Sequence, residues 1–366
     1  MAVNFHGQPF SEETKAKLGL FRDYTMEWLP VWLTKGWKGE AITICDFFAG
    51  PGTDLAGVPG SPLIVLDVLQ SYQDLIRSTN ANVRLVFNEA DKAKAAELNR
   101  ALESAQIPPS LCQIAVLNLD FDVAFSQIYQ SLMDGPNLLI LDQQGMKAIS
   151  DKLFLQLLEL PRTDFLFFIA SSSIRRFEGH EYFQRYLQIP PGEITGAAFN
   201  DTHRAVTQYY RRLASEHGST YYLGSFSIKK RGNIYGLIFG SRSPLGMEKF
   251  LKACWKEDPQ RGESNFDIDD DRINPRAPTL FDEMNRPSKR TKFEDSLIES
   301  ILNGDLRTDS DVYVRTLQEG FLPIDGRLVL QSLIKERRVR VHCGRQPRVS
   351  WKGFRDPRTL EVDDPP

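Results

Sequence analysis

The chain has 366 residues, of which 41% are hydrophobic and 25% are charged, and its formal net charge is −3. These values are typical of a globular protein with more than one domain, and they exclude a disordered chain and a protein that binds nucleic acid through overall positive charge. The four cysteines form no CxxC pair, which favours reduced core thiols over a zinc site. Without a signal-peptide pattern or an apolar run of 18 residues, the expected location is cytoplasmic.

Strands and helices alternate through the first half of the chain. A helix with apolar residues at helical spacing, from about 11 to 37, precedes the first strand. The predicted strands are 41–46, 83–91, 112–122, 136–145 and 163–172. Because these strands are apolar enough to be covered on both faces, they predict a parallel, Rossmann-like doubly wound sheet. A mainly helical stretch at 174–222 and a hairpin in "SFSIKKRGNIYGLIFGS" complete this α/β domain.

The composition changes near residue 257, which divides the chain. We predict an α/β domain at 1–256, an acidic, proline-containing linker or surface-bound strap at 257–289, and a small domain at 290–352 before a flexible tail at 353–366. Three helices followed by a β-pair in "VRVHC…PRVSW" have the order of a winged helix-turn-helix.

The first strand ends in the stretch "ITICDFFAGPGTD", which predicts a ligand loop. Ligands of doubly wound sheets bind at the carboxyl ends of the strands. The stretch contains neither GxGxxG nor a Walker lysine, and an acid before a glycine loop suits a cationic ligand with an adenosine part, which favours S-adenosylmethionine. The candidate cofactor-binding residues of this loop are Asp46, Phe48, Ala49, Gly50 and Gly52. The alternative is that the two glycines only turn the chain.

Two more acids follow the next two strands. Class I methyltransferases pair an acid at the end of strand two with the ribose hydroxyls, and Glu89 is preferred over Asp91 for this role. Asp120, with Asp122 nearby, ends strand three, where these enzymes commonly contact the adenine amino group. The alternative is that these carboxylates are solvated and interact only with the dipoles of the helices that begin after them.

Strand four ends in "LLILDQQG", where methyltransferases that modify base amines carry Asp/Asn-Pro-Pro-Tyr. Asp142 and Gln144 are the candidate catalytic residues. A carboxylate could accept a hydrogen bond from the amine that is methylated, and an amide could form a hydrogen bond to the edge of a base. Gln144 cannot stack on a flipped base as a tyrosine does. Asp142 could also be only a cap at the end of the strand.

Together these motifs resemble the three-Cys-motif partner proteins (TcmP). The resemblance lies in "DFFAGPG", "GSPL", Leu141-Asp142-x-x-Gly145 and "IYGLIFGS", and it covers roughly residues 10–255. It implies a fold of the class I methyltransferase type and association with a separate three-Cys-motif protein similar to radical S-adenosylmethionine enzymes. It also places the cofactor on Asp46, Gly50, Gly52, Glu89 and Asp120, and the substrate at Asp142. The family usually has Asp-Pro-Tyr-Gly where this chain has Asp-Gln-Gln-Gly.

Basic residues at two places suggest contact with phosphate. Arg175 and Arg176 follow strand five near the cleft and are candidate substrate-binding residues, although an ordinary solvated helix face is favoured. In the small domain, the candidate nucleic-acid contacts are Lys289, Arg290, Arg337, Arg338 and Arg340. Winged helices also bind proteins, so the partner could be DNA, RNA or a protein.

Two hypotheses follow from the sequence. The first is an S-adenosylmethionine-dependent methyltransferase that acts on or with nucleic acid and functions with a three-Cys-motif partner. The second is a methyltransferase-fold scaffold with reduced catalysis, or a DNA-binding regulator in a bacterial or phage-conflict system. The replacement of proline and an aromatic residue by Gln143 and Gln144 favours the second.

Overall fold

The computed structural model describes residues 9–35, 41–143, 150–273, 287–342 and 346–362. The chain divides into two compact units, residues 1–242 and residues 243–366.

Unit 1 contains a seven-stranded sheet and nine α-helices among its described residues. The strands are β1 (Ile42–Asp46), β2 (Val83–Asn88), β3 (Gln113–Leu117), β4 (Asn137–Leu141), β5 (Thr163–Ile169), β6 (Tyr222–Lys230) and β7 (Asn233–Ser241). The helices are α1 (Glu12–Thr34), α2 (Ser61–Ser71), α3 (Gln73–Thr79), α4 (Lys92–Ser104), α5 (Phe121–Tyr129), α6 (Asp151–Glu159), α7 (Ser171–Phe177), α8 (Glu181–Gln184) and α9 (Thr202–Glu216).

The strand order is β3-β2-β1-β4-β5-β7-β6. Strands β1 to β5 are parallel, and β7 is antiparallel to both β5 and β6. Every residue of β1 and β4 is buried, because helices cover both faces of the sheet centre. The predicted doubly wound sheet and its closing hairpin are confirmed. The strand order runs outward from β1 to β3 on one side and from β4 to β5 on the other, so the sheet has its switch point between β1 and β4. The carboxyl ends of β1, β2 and β4 lie on one edge of the sheet at this switch point.

Helix α1 is anchored to the sheet by polar and aromatic contacts. Tyr24 is fully buried, donates a hydrogen bond to Asp164 Oδ2 (2.5 Å) and packs edge-on against Phe239 at 4.9 Å between ring centroids. Burial raises the pKa of Asp164 to about 6, although hydrogen bonds from Ser241 and Tyr24 oppose the rise. These contacts join α1 to β5 and β7, and they fix the position of the rest of the helix.

Unit 2 begins earlier than the composition change suggested. It contains α10 (Pro244–Glu257), α11 (Ser288–Leu302), α12 (Asp309–Gln318), α13 (Pro323–Lys335), β8 (Val339–Val341), α14 (Trp351–Arg355) and β9 (Leu360–Val362). The sequence analysis placed α10 in the first domain. The structure groups it with α12, since Tyr313 donates to Glu248 (2.9 Å) and the Trp255 indole donates to the Gly320 carbonyl (3.0 Å).

Two other parts of unit 2 differ from the sequence interpretation. The described part of the expected linker is packed, because the guanidinium of Arg261 is fully buried and pairs with Asp267, Asp269 and Asp271 of the following loop. Strand β8 pairs with β9 rather than with residues 347–351, so the expected tail contains a strand. Three helices and a β-pair do occur in the predicted order; their identification as a winged helix-turn-helix remains a prediction.

Candidate functional site

Acidic residues occupy three neighbouring strand ends on one edge of the sheet. Asp46 is the last residue of β1, Glu89 follows β2, and Asp142 follows β4. Because β1 lies between β2 and β4 and all three strands are parallel, their ends lie side by side. The carboxylates of Asp46, Glu89 and Asp142 therefore follow adjacent strands on one edge of the sheet.

Glu89 is the acid that reaches the loop after β1. Its Oε2 accepts a hydrogen bond from the Gly50 N–H (3.0 Å), and its Oε1 accepts one from the Asp91 N–H (2.9 Å). Asp91 instead caps α4, where its carboxylate accepts the N–H groups of Ala93 and Lys94. Each oxygen of Glu89 keeps a lone pair for a further donor.

The two glycines of the loop adopt the left-handed region, with φ of 64° at Gly50 and 92° at Gly52. A Cβ on Gly52 would lie 3.2 Å from the Cβ of Ala101 and 3.3 Å from the Cδ1 of Leu98. Gly52 therefore lets the loop lie against α4, which is a structural role. Gly50 presents its N–H to Glu89 and so links the ends of β1 and β2.

Phe48 and Ala49 hold the same loop against its neighbours. The ring of Phe48 stacks on Phe121 with centroids 5.2 Å apart. Ala49 is buried and its N–H donates to the Asn88 carbonyl (3.0 Å). Both residues shape the loop through packing and backbone bonds.

Asn88 connects three strand ends and was missed by the sequence analysis. Its side-chain amide donates to the carbonyls of Phe47 (3.3 Å) and Leu119 (3.0 Å), and its Oδ1 accepts from the Leu119 N–H (3.2 Å). The signal available in the sequence was an asparagine at the end of an apolar strand, because a buried side-chain amide must form hydrogen bonds.

Asp54 was also missed, and it organises the turn beyond the glycines. Its Oδ1 accepts the N–H groups of Ala56 (2.9 Å) and Val58 (2.8 Å). Its Oδ2 accepts the N–H of Phe10 (2.7 Å), which ties the segment before α1 to the loop.

Asp120 is exposed at the N-cap position of α5, and its side chain makes no capping hydrogen bond. It follows Leu119, whose backbone is fixed by Asn88. The backbone that carries this carboxylate is therefore held at the end of β2 by Asn88. The carboxylate itself accepts no hydrogen bond from α5.

Asp46 is a fully buried carboxylate with an unsatisfied oxygen. Its Oδ1 accepts the Phe48 N–H (3.0 Å), and its Oδ2 has no partner at ordinary hydrogen-bond geometry among the described residues, although the Ser61 side chain lies close enough to the carboxyl to lower its pKa. Burial raises the pKa of Asp46 to about 7. The side chain of Ser61, the Phe48 N–H and Lys17 oppose this rise, and Asp142 reinforces it. Such an oxygen suits a cationic or hydrogen-bond-donating ligand group.

Asp142 is paired with a lysine that the sequence analysis did not identify. Lys17 of α1 donates to Asp142 Oδ2 in a half-buried ion pair, in which the two side chains are 13% and 15% exposed. The Lys17 ammonium also lies 4.6 Å from the ring centroid of Phe168 on β5. Asp142 Oδ1 is buried and has no partner among the described residues. Gln144, the other predicted catalytic residue, lies outside the described residues.

The two arginines after β5 are placed differently. Arg175 donates to the carbonyls of Ile194 (2.7 Å), Ala197 (2.8 Å) and Thr195 (3.1 Å), so it holds the segment before α9. Arg176 is exposed. Of the two, Arg176 has the side chain that is placed to meet a ligand from solvent.

The basic residues of unit 2 also fall into two groups. Lys289 pairs with Glu263 (3.0 Å) and Arg290 with Asp325 (2.7 Å), and both lie over the ring of Phe321. These two are used inside the unit. The exposed members of the predicted set are Arg337, Arg338 and Arg340.

The part of the chain that the structure describes contains neither a membrane-spanning helix nor a cluster of metal ligands. None of its helices has the length and apolar character needed to cross a membrane. Within the same residues, no group of three or more His, Cys, Asp or Glu side chains is arranged to hold a metal ion.

Comparisons with known proteins found weak structural likeness only. No family model matches the chain, and no curated protein matches it in sequence. Solved structures that match include Trm1 from Pyrococcus horikoshii with S-adenosyl-L-methionine (11% identity, TM-score 0.38, 68% of this chain and 60% of that one). A putative methylase from Haemophilus influenzae (14%, 0.27, 60% and 88%) and a putative methyltransferase from Escherichia coli (13%, 0.28, 60% and 86%) also match.

With TM-scores below 0.5, these likenesses carry no argument about function. The fold assignment depends instead on the strand order and on the antiparallel β7 between β5 and β6. On that evidence, unit 1 has a Rossmann-like fold of the class I methyltransferase type.

Proposed function

We propose that unit 1 binds S-adenosylmethionine at the edge formed by β1, β2 and β3 and transfers its methyl group to nucleic acid. The observation that carries this proposal is the row of acidic residues at successive strand ends, together with the buried, unsatisfied oxygen of Asp46. When bound, S-adenosylmethionine supplies a methyl group on a positively charged sulfur.

The side chains fit the three parts of this cofactor. Glu89 has free lone pairs for the ribose hydroxyls, and the exposed carboxylate of Asp120 suits the adenine amino group. Asp46 Oδ2 is a buried acceptor that the ammonium of the methionine part could fill. Without the ligand, that oxygen lacks a partner of ordinary hydrogen-bond geometry in the described part of the chain. The loop around Gly50 lies between these groups.

Calorimetry with S-adenosylmethionine tests the proposal most directly. We expect Asp120→Ala to weaken binding about tenfold or more, because it removes an acceptor for a hydrogen bond without removing any bond of the protein itself. Asp122→Ala, in the first turn of the same helix, is the matched control and should bind like the wild type. Absence of binding in a folded wild-type sample would refute the proposal.

Nucleic acid is the proposed substrate, and a three-Cys-motif protein is the proposed partner by resemblance. Exposed Arg337, Arg338 and Arg340 support nucleic-acid contact by unit 2, because arginine suits phosphate geometry. If these residues contact phosphates, replacing all three by glutamine should weaken binding to an RNA oligonucleotide and reduce its salt dependence. An unchanged salt slope would remove the support for this role.

A scaffold with reduced catalysis is the second candidate, and the ion pair of Lys17 with Asp142 favours it. A carboxylate that is already paired with an ammonium is a poor acceptor for the weakly polar amine of a base. This candidate predicts that the protein binds S-adenosylmethionine weakly or not at all and transfers no methyl group.

A further inference from the structure

The ion pair of Lys17 with Asp142 belongs to a larger group of charged side chains at the end of β4. Glu13 and Thr14 lie four and three residues before Lys17 in α1, so both are neighbours of Lys17 on the helix surface. At the end of β6, Lys230 Nζ donates to Thr14 Oγ1 at 3.3 Å. The same helix face thus meets both the end of β4 and the end of β6.

The charges of this group act on one another. Burial lowers the pKa of the Lys230 ammonium, and Lys17 and Arg231 lower it further, whereas Glu13 and Asp142 oppose the change. A lysine whose pKa is lowered has a larger fraction of neutral amine, which can accept a proton. Lys17 differs from it, because its ammonium is held by the carboxylate of Asp142 and lies over the aromatic ring of Phe168.

We infer that the acceptor group is a hydroxyl of RNA, and that Lys17, Asp142 and Lys230 form the acceptor site; this inference rests on the proposed function. An amine of a base requires an acceptor for its N–H and an aromatic side chain for stacking. Here Oδ2 of Asp142 is paired with Lys17, Oδ1 is buried, and glutamine follows Asp142 in the chain. A hydroxyl instead requires a base for its proton and a donor for the oxygen, which two lysines can supply.

Each residue then has a defined part in the reaction. Lys230 accepts the hydroxyl proton through its neutral amine. Lys17 donates a hydrogen bond to the hydroxyl oxygen, since its ammonium has three donors and Asp142 accepts one of them. The oxygen–carbon bond forms as the carbon–sulfur bond breaks, and the electron pair of that bond stays on sulfur, which becomes neutral. Asp142 is a positioning residue, because it acts by holding Lys17.

The nature of the hydroxyl identifies the nucleic acid. Along a nucleic-acid chain, the 2′-hydroxyl of ribose is the hydroxyl present in RNA and absent from DNA. A site built for a hydroxyl therefore selects RNA, and the product is a 2′-O-methylated ribose.

The test uses the full-length protein, labelled S-adenosylmethionine, and two pools of random 40-nucleotide strands, one of RNA and one of DNA. We expect label in RNA only and, after digestion to nucleosides, on 2′-O-methylribose. Lys230→Met should reduce the transfer rate about 100-fold, the range expected for a lost general base. Lys229→Met is its control, because the neighbouring side chain lies on the opposite face of β6.

A second measurement does not depend on catalysis. In lysine NMR titrations of the protein without ligand, Lys17→Met should raise the pKa of Lys230, because it removes a nearby like charge. Lys15→Met, on the exposed side of α1, should leave that pKa unchanged. An unchanged pKa of Lys230 in Lys17→Met would overturn the coupling of the two lysines.

The outcomes separate the inference from the function on which it rests. Label on a base nitrogen or in DNA, or no label in either pool from a protein that binds S-adenosylmethionine by calorimetry, overturns the hydroxyl inference alone. Failure of the folded protein to bind S-adenosylmethionine overturns the proposed function as well.

Discussion

Replacing Asp46 by asparagine should change how stability depends on pH. The buried carboxyl has a pKa of about 7 in the folded chain, against an ordinary value near 4 in the unfolded chain. Between these values the folded state binds a proton that the unfolded state does not bind. Stability from this group is therefore fully present below about pH 4 and is lost as the pH rises through 7.

The size of the effect follows from the same shift. One pKa unit corresponds to about 1.4 kcal/mol, so the wild type should lose roughly 2.5 kcal/mol from this group between pH 5 and pH 8. Asparagine has no proton to lose, and its Oδ1 can still accept the Phe48 N–H. Asp46→Asn should therefore remove this loss.

Urea unfolding at pH 5 and pH 8, followed by hydrogen exchange of peptides from β1 and β4, measures the effect in unit 1. Asp67→Asn is the matched control, because Asp67 is exposed on α2, and it should keep the wild-type dependence on pH. If Asp46→Asn loses as much stability as the wild type over this range, Asp46 is already ionised in the folded protein at pH 5, and the reasoning from burial is refuted.

Four further changes test other parts of the structure. S-Adenosylmethionine should bind the wild type more tightly at pH 8 than at pH 6, because a cationic ligand group prefers ionised Asp46, and calorimetry should show a smaller difference in Asp46→Asn. Tyr24→Phe should lower the free energy of unfolding by about 1–3 kcal/mol in urea melts, since it leaves the buried Asp164 without its 2.5 Å donor. Gly52→Ala should cost about 1–3 kcal/mol because of the positive φ and the contact with Ala101, as read from the shift in melting temperature. Arg261→Met should destabilise unit 2 by about 3–5 kcal/mol at pH 7 in the same urea assay, because it leaves the carboxylates of Asp267, Asp269 and Asp271 without their cation.

The three variants Tyr24→Phe, Gly52→Ala and Arg261→Met each have a separate control. Tyr72→Phe removes a hydroxyl that bonds only to a backbone carbonyl near the surface, so it should cost less than Tyr24→Phe. Gly57→Ala has a positive φ but no atom within 4 Å of the added Cβ, so it isolates backbone strain from contact. Arg272→Met changes an exposed arginine beside the same loop and should leave unit 2 nearly unchanged. Equal effects of a variant and its control would contradict the assigned cause.

The sheet of unit 1 was predictable from the sequence because its signals are local. Each parallel strand is a short apolar run that is followed by helical periodicity, and the strand ends carry the acids. The choice of Glu89 over Asp91 stays a prediction; in the structure Asp91 caps α4, whereas Glu89 accepts the Gly50 N–H of the loop after β1.

Features that depend on distant parts of the chain were not predictable. Lys17 meets Asp142 across 125 positions, and no local pattern distinguishes it from the other lysines of an amphipathic helix. The pairing of β8 with β9 was missed because the short strand Leu360–Val362 comes after α14, in the segment where the sequence predicted a tail. The packing of α10 with unit 2 depends on partners near Tyr313 and Gly320, which the composition change at 257 does not reveal.

The anchoring of α1 has a practical consequence for shortened versions of the protein. A chain that begins at β1 would keep all seven strands, yet Asp164 would lose the Tyr24 hydroxyl and Asp142 would lose Lys17. Such a fragment would contain a complete sheet in which each of these two carboxylates has lost a donor. Residues 9–35 should therefore be retained in any version of the protein that is prepared for assays of binding or activity.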